Sequence, residues 1–347
     1  MLHRFSFLEQ MLLRFDVLPH PFVDAGASMG LTHALAASVR LGLVDHLSSE
    51  PQPLARLAQR AGLSEQGSEL VLDCLDALGY VRQGPQGYAF TTRGTKFLAP
   101  DSPEGLRYFI LFSDWIQRGY VEDLDRTIRA GRRTQGTMLD TLDERGWELF
   151  SRAMIEISRT NREEVVGLLT LPKGAKTVLD VGGSHGQYSI SLCKKHPGLS
   201  ARVLDLPPVR RYMDECVRRE EAAAMVQFVE GDFDRGELPG GNDVVLAFNI
   251  IHGLDVEGNR RLFRKAHGAL NPGGTLFVLD QIKGTGGSSQ LSKATTSFMA
   301  LNLLHQAGGR TYTAAEVDSF AREAGFKGSS MKKLRGPGFA VIACPRG

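Results

Sequence analysis

Residues 176–186 read Lys-Thr-Val-Leu-Asp-Val-Gly-Gly-Ser-His-Gly. Val178, Leu179 and Val181 make a nearly continuous apolar run, the pattern of a short buried parallel strand. Gly182, Gly183 and Gly186 follow at once, and residues 187–196 then read as a helix. Strand, glycine turn and helix bring backbone close to a nucleotide at the carboxyl end of the first strand of an open α/β sheet. The spacing departs from the dinucleotide fingerprint, because Ser184 stands where Gly-x-Gly-x-x-Gly needs its second glycine for pyrophosphate contact. Asp180 sits inside the strand–turn junction, where a negative charge repels phosphate and suits a ligand carrying an ammonium and a sulfonium. The expected ligand is therefore S-adenosylmethionine rather than NAD.

A chain of 347 residues exceeds the usual size of one core, so two domains are expected. A net charge of +2 gives no electrostatic case for a nucleic-acid partner. The four cysteines, Cys74, Cys193, Cys216 and Cys344, are scattered without a C-x-x-C pair and read as reduced thiols of a cytoplasmic protein. No apolar run reaches membrane-spanning length, so no membrane association is expected. Arg4, Glu9, Arg14 and Asp16 interrupt the apolar start, which excludes a signal-peptide core. Leu8, Leu12 and Phe15 share one helical face there, a stripe suited to docking on a partner subunit.

From about Phe22 to Leu98 the pattern is helical and then hairpin-like. Leu31, Leu35, Ala36 and Val39 mark one helix, and Leu41, Leu43, Val44 and Leu47 carry its apolar face onward. Leu54, Leu57 and Ala58 restart after Pro51 and Pro53, and Ala61-Gly62-Leu63 makes the turn of a helix-turn-helix. Ser64 caps a helix holding Leu70, Val71, Cys74, Leu75 and Leu78, closed by Gly79. Residues 80–82 and 88–91 flank a turn at Gly84-Pro85-Gln86-Gly87, a small β-wing. The unit reads as a winged helix over residues 1–100. Its reading helix carries Glu65, Glu69, Asp73 and Asp76 and no Lys or Arg, which disfavours DNA and points to a dimerisation module.

Residues 101–172 read as a helical connector that also contributes to a substrate pocket, and Pro172-Lys173-Gly174 opens the domain that runs to residue 347. There strand and helix alternate, which implies a parallel sheet with helices on both faces. Strands are expected at 201–206, 226–229, 243–248 and 275–279, and helices at 209–221, 256–270, 293–305 and 314–324. Asn271-Pro272-Gly273-Gly274 is read as the end of the helix from 256. Residues 331–334 and 339–343 are separated only by Arg335-Gly336-Pro337-Gly338, too short for a crossover, so the last strand should be antiparallel. The fold class is α/β, a Rossmann-like, doubly wound sheet with an antiparallel last strand, behind a mainly helical first domain.

Ligand groups belong at the carboxyl ends of the strands. Asp205 ends the second strand about twenty residues after the glycine turn, where it can accept from both ribose hydroxyls, or else cap the helix after Pro207-Pro208. Asp232 and Phe233 follow the third strand and suit the adenine amine and the adenine face, although an Asp in a turn is the plainer reading. His252 follows the fourth strand, in Phe248-Asn249-Ile250-Ile251-His252, and an ordinary histidine pKa of about 6.5 suits a general base. Asp280 ends the fifth strand and either fixes the imidazole tautomer or faces water. The cofactor-contact set is Asp180, Gly182, Gly183, Gly186, Asp205, Leu206, Asp232, Phe233 and Asn249, with His252 and Asp280 catalytic. Pocket candidates are Trp115, Phe150, Met154, Phe298, Met299 and Asn302, the last a polar residue on an otherwise apolar stretch. Neither an H-x-x-x-H pair nor a carboxylate cluster appears, so no metal is expected.

Five motifs in order, Val-Leu-Asp-Val-Gly-Gly-Ser-His-Gly (178–186), Val-Leu-Asp-Leu-Pro (203–207), Gly-Asp-Phe (231–233), Ile-Ile-His (250–252) and Leu-Asn-Pro-Gly-Gly (270–274), resemble the caffeic-acid and hydroxyindole type O-methyltransferases, including their bacterial small-molecule branch. The resemblance covers nearly the whole chain. It implies a homodimer, metal-independent methyl transfer to a hydroxyl, a histidine base at His252, and cofactor contacts at Gly182, Asp205, Asp232 and Phe233. Three departures stand out: the family's His-Asp-Trp reads His252-Gly253-Leu254, Asp280 replaces a Glu, and Thr311 replaces a second carboxylate. The expected activity is methylation of a hydroxyl on a small aromatic or polyketide-like acceptor. A relative that methylates carbon or nitrogen, or does not methylate, and a ligand-sensing winged-helix regulator are the alternatives.

Overall fold

The structure is a computed structural model that describes residues 11, 15, 21–133, 136–287, 289–336 and 338–347. Leu8 and Leu12 of the expected apolar stripe, and Pro337 of the last hairpin, lie outside them. The chain divides into two compact units, Met1–Arg118 and Gly119–Gly347.

In the first unit, α1 (Ser28–Arg40) ends where Gly42 adopts a left-handed φ of 71°, and a short turn, Leu43–His46, follows. The apolar face from Leu41 to Leu47 is therefore not a continuation of that helix, because the glycine closes it first. The helices α2 (Leu54–Ala61) and α3 (Glu65–Leu78) are joined through Gly62 at φ 66°, and the Ser64 hydroxyl accepts from the Gly67 N–H to cap α3. Antiparallel β1 (Val81–Gly84) and β2 (Gly87–Phe90) then pair from Val81 opposite Phe90 to Gly84 opposite Gly87. Leu43, Leu57, Leu72, Leu75, Val81 and Phe90 share one core. The Tyr88 hydroxyl donates to Asp73 at 2.9 Å, so one acid of α3 is engaged within the unit. This element order is consistent with the winged-helix expectation. The helix α4 (Thr92–Leu98) follows, and α5 (Arg107–Ala130) runs across the division of the chain.

After the end of α5 the second unit continues with α6 (Glu144–Leu168) and then alternates: β3 (Thr177–Val181), α7 (Gln187–Lys195), β4 (Ser200–Asp205), α8 (Arg210–Arg219), β5 (Val226–Glu230), β6 (Asn242–Phe248) and α9 (Val256–Ala269). It closes with β7 (Leu270–Lys283), α10 (Gln290–Ala307), β8 (Tyr312–Thr313), α11 (Ala314–Glu323), β9 (Ser330–Lys333) and β10 (Phe339–Pro345). The main strand order is β5-β4-β3-β6-β7-β10-β9, with β8 paired to β7. Strands β3 to β7 are parallel, and β10 is antiparallel to both β7 and β9. The order reverses direction between β4 and β6 on either side of β3, so the glycine turn sits at the topological switch point where such sheets bind ligands.

Alternating residues bury both faces, as a period of two requires. Val178, Val244, Leu246, Phe277 and Leu279 pack with Ile155, Val165, Ile190 and Tyr212 from α6, α7 and α8. Leu179, Val181, Val245, Leu276 and Val278 pack with Leu262, Phe263, Val317 and Phe320 from α9 and α11. Strand β7 is much longer than residues 275–279. The helix α9 ends at Ala269, directly before Asn271-Pro272-Gly273-Gly274 as expected, and the same four residues form an irregularity inside the ladder, since Asn242 pairs with Leu270 and Val244 with Thr275. Asp280 likewise lies within β7, not at its end.

Leu246 is completely buried on the central strand. Leu246→Ala is expected to cost about 2–5 kcal/mol in urea unfolding. Val121→Ala, at a position 89% exposed, should stay within about 0.5 kcal/mol of the parent.

Candidate active site

The turn after β3 is built from backbone that no side chain could share. Gly182 has φ 62°, and a Cβ there would lie 2.4 Å from Ile250 Cδ1. A Cβ on Gly183 would lie 2.4–2.8 Å from the atoms of the Asp180 carboxyl group. Ser184 is held at φ 46°, unusual for a residue with a side chain. Its N–H donates to Asp205 Oδ2 at 2.7 Å, which joins the turn to the end of β4. The Leu206 N–H donates to Asp205 Oδ1 at 2.7 Å. Asp205 thus serves as a fixed acceptor with lone pairs to spare, as a ribose diol needs.

Asp180 is 1% exposed beneath Gly183, and Ser189 Oγ donates to its Oδ2 at 2.7 Å. Its Oδ1 has no partner among the described residues. Burial pushes the acid up to about 7, against the Ser189 hydrogen bond, and the nearby Asp205 pushes the same way. Asp205 itself is pushed up to about 6, again mainly by burial. Burial thus works against the charged form that the sequence implies, and a cationic group beside Asp180 would work for it. An orphaned buried carboxyl oxygen, a diol acceptor and side-chain-free glycines together fit an adenosyl ligand with a cationic amino-acid end.

The remaining strand ends converge on the same turn. Phe233 Cε1 lies 3.7 Å from the position of a Gly182 Cβ. Asp232 Oδ1 accepts from the Asp234 N–H at 2.9 Å, the ordinary turn role, and its side chain is 36% exposed. Asn249 is in the left-handed region at φ 57°, with its N–H donating to the Leu279 carbonyl. Gly186 starts α7 at φ 66°. His185, in the turn, is buried and pushed down to about 3 by burial and by Arg162 and Arg159. It is neutral, and its Nδ1 accepts from the Gln187 N–H.

His252 occupies a short helical turn, Ile251–Gly253, after β6, and its Nδ1 lies 2.7 Å from Asp280 Oδ1. Because a carboxylate only accepts, Nδ1 carries the proton and Nε2 keeps its lone pair. No described residue hydrogen-bonds Nε2, and the His252 side chain is 22% exposed. Asp280 is fully buried and also accepts from the N–H groups of Gln281 (2.7 Å) and His252 (3.3 Å). Burial lowers the imidazole pKa, but the charge and hydrogen bond of Asp280 outweigh it, and the net direction is up. Among the described residues, Asp280 is the sole carboxylate bonded to this imidazole. Thr311 lies between Gly309, packed on the His252 carbonyl, and Tyr312, whose hydroxyl donates to the Leu254 carbonyl at 2.7 Å, while Arg310 stacks on Tyr312 and pairs with Glu316.

The pocket candidates scatter more. Trp115 belongs to the first unit, where it stacks on Phe112. Phe150 meets Trp147 edge-on at 6.1 Å, and the Met154 carbonyl accepts from His185. Asn302 and Met299 are together, with Nδ2 3.9 Å from Sδ, whereas Phe298 is 56% exposed. The sequence reading missed Gly309, whose added Cβ would lie 1.8 Å from the His252 carbonyl oxygen, and it missed Tyr120 and His305 beside Asn302. The Gly308-Gly309 pair closing an apolar helix was the available signal for the first.

Two outcomes are expected from this geometry. Asp180 favours its protonated form in the fold, so the stability tied to that form is lost as pH rises through about 7. The melting temperature of Asp180→Asn should therefore gain on the parent progressively from pH 5 to pH 8, and a gap independent of pH would refute the assignment. Gly309→Ala cannot be accommodated without moving the His252 turn. It should lower methyl-transfer activity far more than it lowers the melting temperature.

A family model described as an O-methyltransferase domain matches residues 122–327, more than half of the chain. The chain is 28% identical over 335 residues to 3-hydroxy-5-methyl-1-naphthoate 3-O-methyltransferase of Streptomyces sahachiroi, covering 92% of this chain and 93% of that one. It is 29% identical over 353 residues to acetylserotonin O-methyltransferase of Mus musculus, covering 93% and 89%. The fold is similar to that of an O-methyltransferase-like protein of Nostoc punctiforme, with a TM-score of 0.83 at 24% identity over 95% and 99% of the two chains. The chain belongs to the O-methyltransferase family, enzymes that depend on S-adenosylmethionine.

Proposed function

We propose that this enzyme methylates a hydroxyl group of a small aromatic acceptor, with His252 as general base. The observation that carries the reading is the 2.7 Å contact between His252 Nδ1 and the buried Asp280, which leaves Nε2 free at the end of β6. S-adenosylmethionine supplies an electrophilic methyl group on a sulfonium. Gly182, Gly183 and Gly186 provide side-chain-free backbone for it, while Asp180, Asp205, Leu206, Asp232, Phe233 and Asn249 hold its polar and aromatic parts. His252 Nε2 accepts the acceptor's hydroxyl proton as the oxygen becomes nucleophilic. Asp280 holds the imidazole in the required tautomer and stabilises the imidazolium, in the manner of other His–carboxylate pairs. Phe150, Met154, Phe298, Met299 and Asn302 are the proposed acceptor lining. Support for an aromatic acceptor comes from the relatives, whose names specify a hydroxynaphthoate and acetylserotonin.

The same proposal assigns residues 1–100 to a winged-helix dimerisation module of a homodimer, 101–172 to a helical connector, and 173–347 to cofactor binding and catalysis. Four cysteines without disulfides support a reducing, cytoplasmic setting. Among the described residues no helix is long and apolar enough to cross a membrane, and no group of side chains is arranged to hold a metal ion.

Labelled S-adenosylmethionine and a panel of phenols, naphthols and hydroxynaphthoates provide the test. His252→Ala should lose about 10²–10⁴ in turnover while retaining cofactor affinity. Undiminished transfer would sink the base assignment. The raised pKa of His252 means that the neutral, proton-accepting form grows in above the ordinary histidine value. Activity should therefore rise through a pH above 6.5, and Asp280→Asn should shift that rise to lower pH while slowing turnover about 10–100-fold.

A further inference from the structure

The turn that carries His252 is held from two sides, and the buried acid of β7 is only one of them. On the other stands Asn259, fully buried on the first turn of α9. Its Nδ2 donates to the carbonyls of Ile251 at 3.0 Å, Asp255 at 3.1 Å and Leu254 at 3.4 Å. One of these carbonyls precedes His252 in the chain and two follow it. Carbonyl oxygens only accept, so the donor end of this amide must face the turn. The Tyr312 hydroxyl, beside the same amide, donates to the Leu254 carbonyl at 2.7 Å. Asn259 and Tyr312 thus tie the His252 turn to the start of α9 and to β8.

The turn has little stiffness of its own. Gly253 follows His252 directly, and a glycine leaves the backbone free to move. The bond from the His252 N–H to Asp280 Oδ2 is long, at 3.3 Å, and fixes the turn weakly. The imidazole nevertheless meets Asp280 Oδ1 at 2.7 Å, although the acid is one methylene shorter than the Glu of the resembling sequences. A short, fully buried carboxylate cannot follow a wandering ring, so the ring must be brought to it. The other charged groups around the turn are engaged elsewhere. Asp255 caps α9 through the Gly258 N–H, and Arg310 pairs with Glu316. Where α10 meets the turn, at Gly253, it presents the apolar Ala307.

We propose that Asn259 is a positioning residue for the base: by clamping the carbonyls on both sides of His252 it holds the imidazole within reach of the short Asp280 carboxylate. The effect on turnover rests on the methyl-transfer reading above. The effect on the imidazole does not.

The test is Asn259→Leu in the full chain, which keeps the bulk of the side chain and removes its donors. The first readout is the titration of His252, followed by NMR on chain labelled at histidine, with His252→Ala giving the assignment. Asp280 is the charged group that raises this imidazole against burial. Loosening the contact should therefore move the midpoint down, toward that of Asp280→Asn. In an Asp280→Asn background the same substitution should move it no further, because the contact it protects is already gone. The second readout is turnover, expected to fall about 10–100-fold as the ring loses its fixed geometry. Binding of S-adenosylhomocysteine, measured by calorimetry, should stay within about twofold of the parent, a difference of about 0.4 kcal/mol. If Asn259→Leu does not fold, Tyr312→Phe removes one donor to the same turn and should move the midpoint in the same direction by less. An unmoved midpoint in the folded variant, or an equal shift in the Asp280→Asn background, overturns the proposal. Transfer that survives His252→Ala discards the base and leaves a moved midpoint standing for the clamp. An unmoved midpoint in a chain whose transfer needs His252 discards the clamp and keeps the base.

Discussion

There is no room for a side chain above Asp180, and much of the site follows from that. The carboxyl group fills the space where a Gly183 Cβ would stand, and Ile250 fills the space beside Gly182. Strand β3 must therefore end in glycines, and the chain must leave it through left-handed conformations that carry Ser184 onto Asp205. Once the turn is fixed, β4, β5 and β6 can end at one place, with Phe233 and Ile250 against it. The cost is a carboxyl group buried with one oxygen unpartnered. Unpaired buried polar atoms are expensive in a packed interior.

The His252–Asp280 pair is organised differently, through strand pairing rather than through a turn. Asp280 stands on β7 and reaches both the imidazole and the backbone N–H of His252 just past the end of the neighbouring β6. Asp is shorter than the Glu of the resembling sequences. The contact is made because His252 lies in a tight helical turn directly beside that strand. With Thr311 in place of a second acid, the other flank of the His252 turn is supported by backbone packing at Gly309 rather than by charge. Among the described residues the imidazole has one carboxylate partner, whose charge and hydrogen bond together raise its basicity against burial.

What the sequence made legible was local. The apolar run before three glycines, the Ser64 cap, the Gly62 turn and the short link between the last two strands each express their physics within about ten residues. All are present as expected. The misreadings were non-local or hung on a single glycine. Asn271-Pro272-Gly273-Gly274 does follow the end of α9 at Ala269, but only the register between β6 and β7 reveals that β7 already starts at Leu270 and carries these residues as an irregularity. Gly42 ended α1 where apolar spacing suggested continuity. The charge of Asp180 could not be judged without its burial. Asn302 was singled out as a polar residue on an apolar helix, but its hydrogen-bond partner, Tyr120, is too distant in sequence for any spacing rule to find.

The place of β10 bears on the His252–Asp280 pair. Ala340 pairs with Asp280, and β10 fills the gap between β7 and β9. Without that strand, β7 would be an open edge with unpaired backbone groups, and Asp280 would stand at a sheet margin. The strand that closes this margin is the last of the chain, and Ala340 stands 60 positions beyond the Asp280 it pairs with. The shelter of the His252–Asp280 contact therefore depends on the C-terminal hairpin, although no residue of that hairpin touches the imidazole among the described contacts.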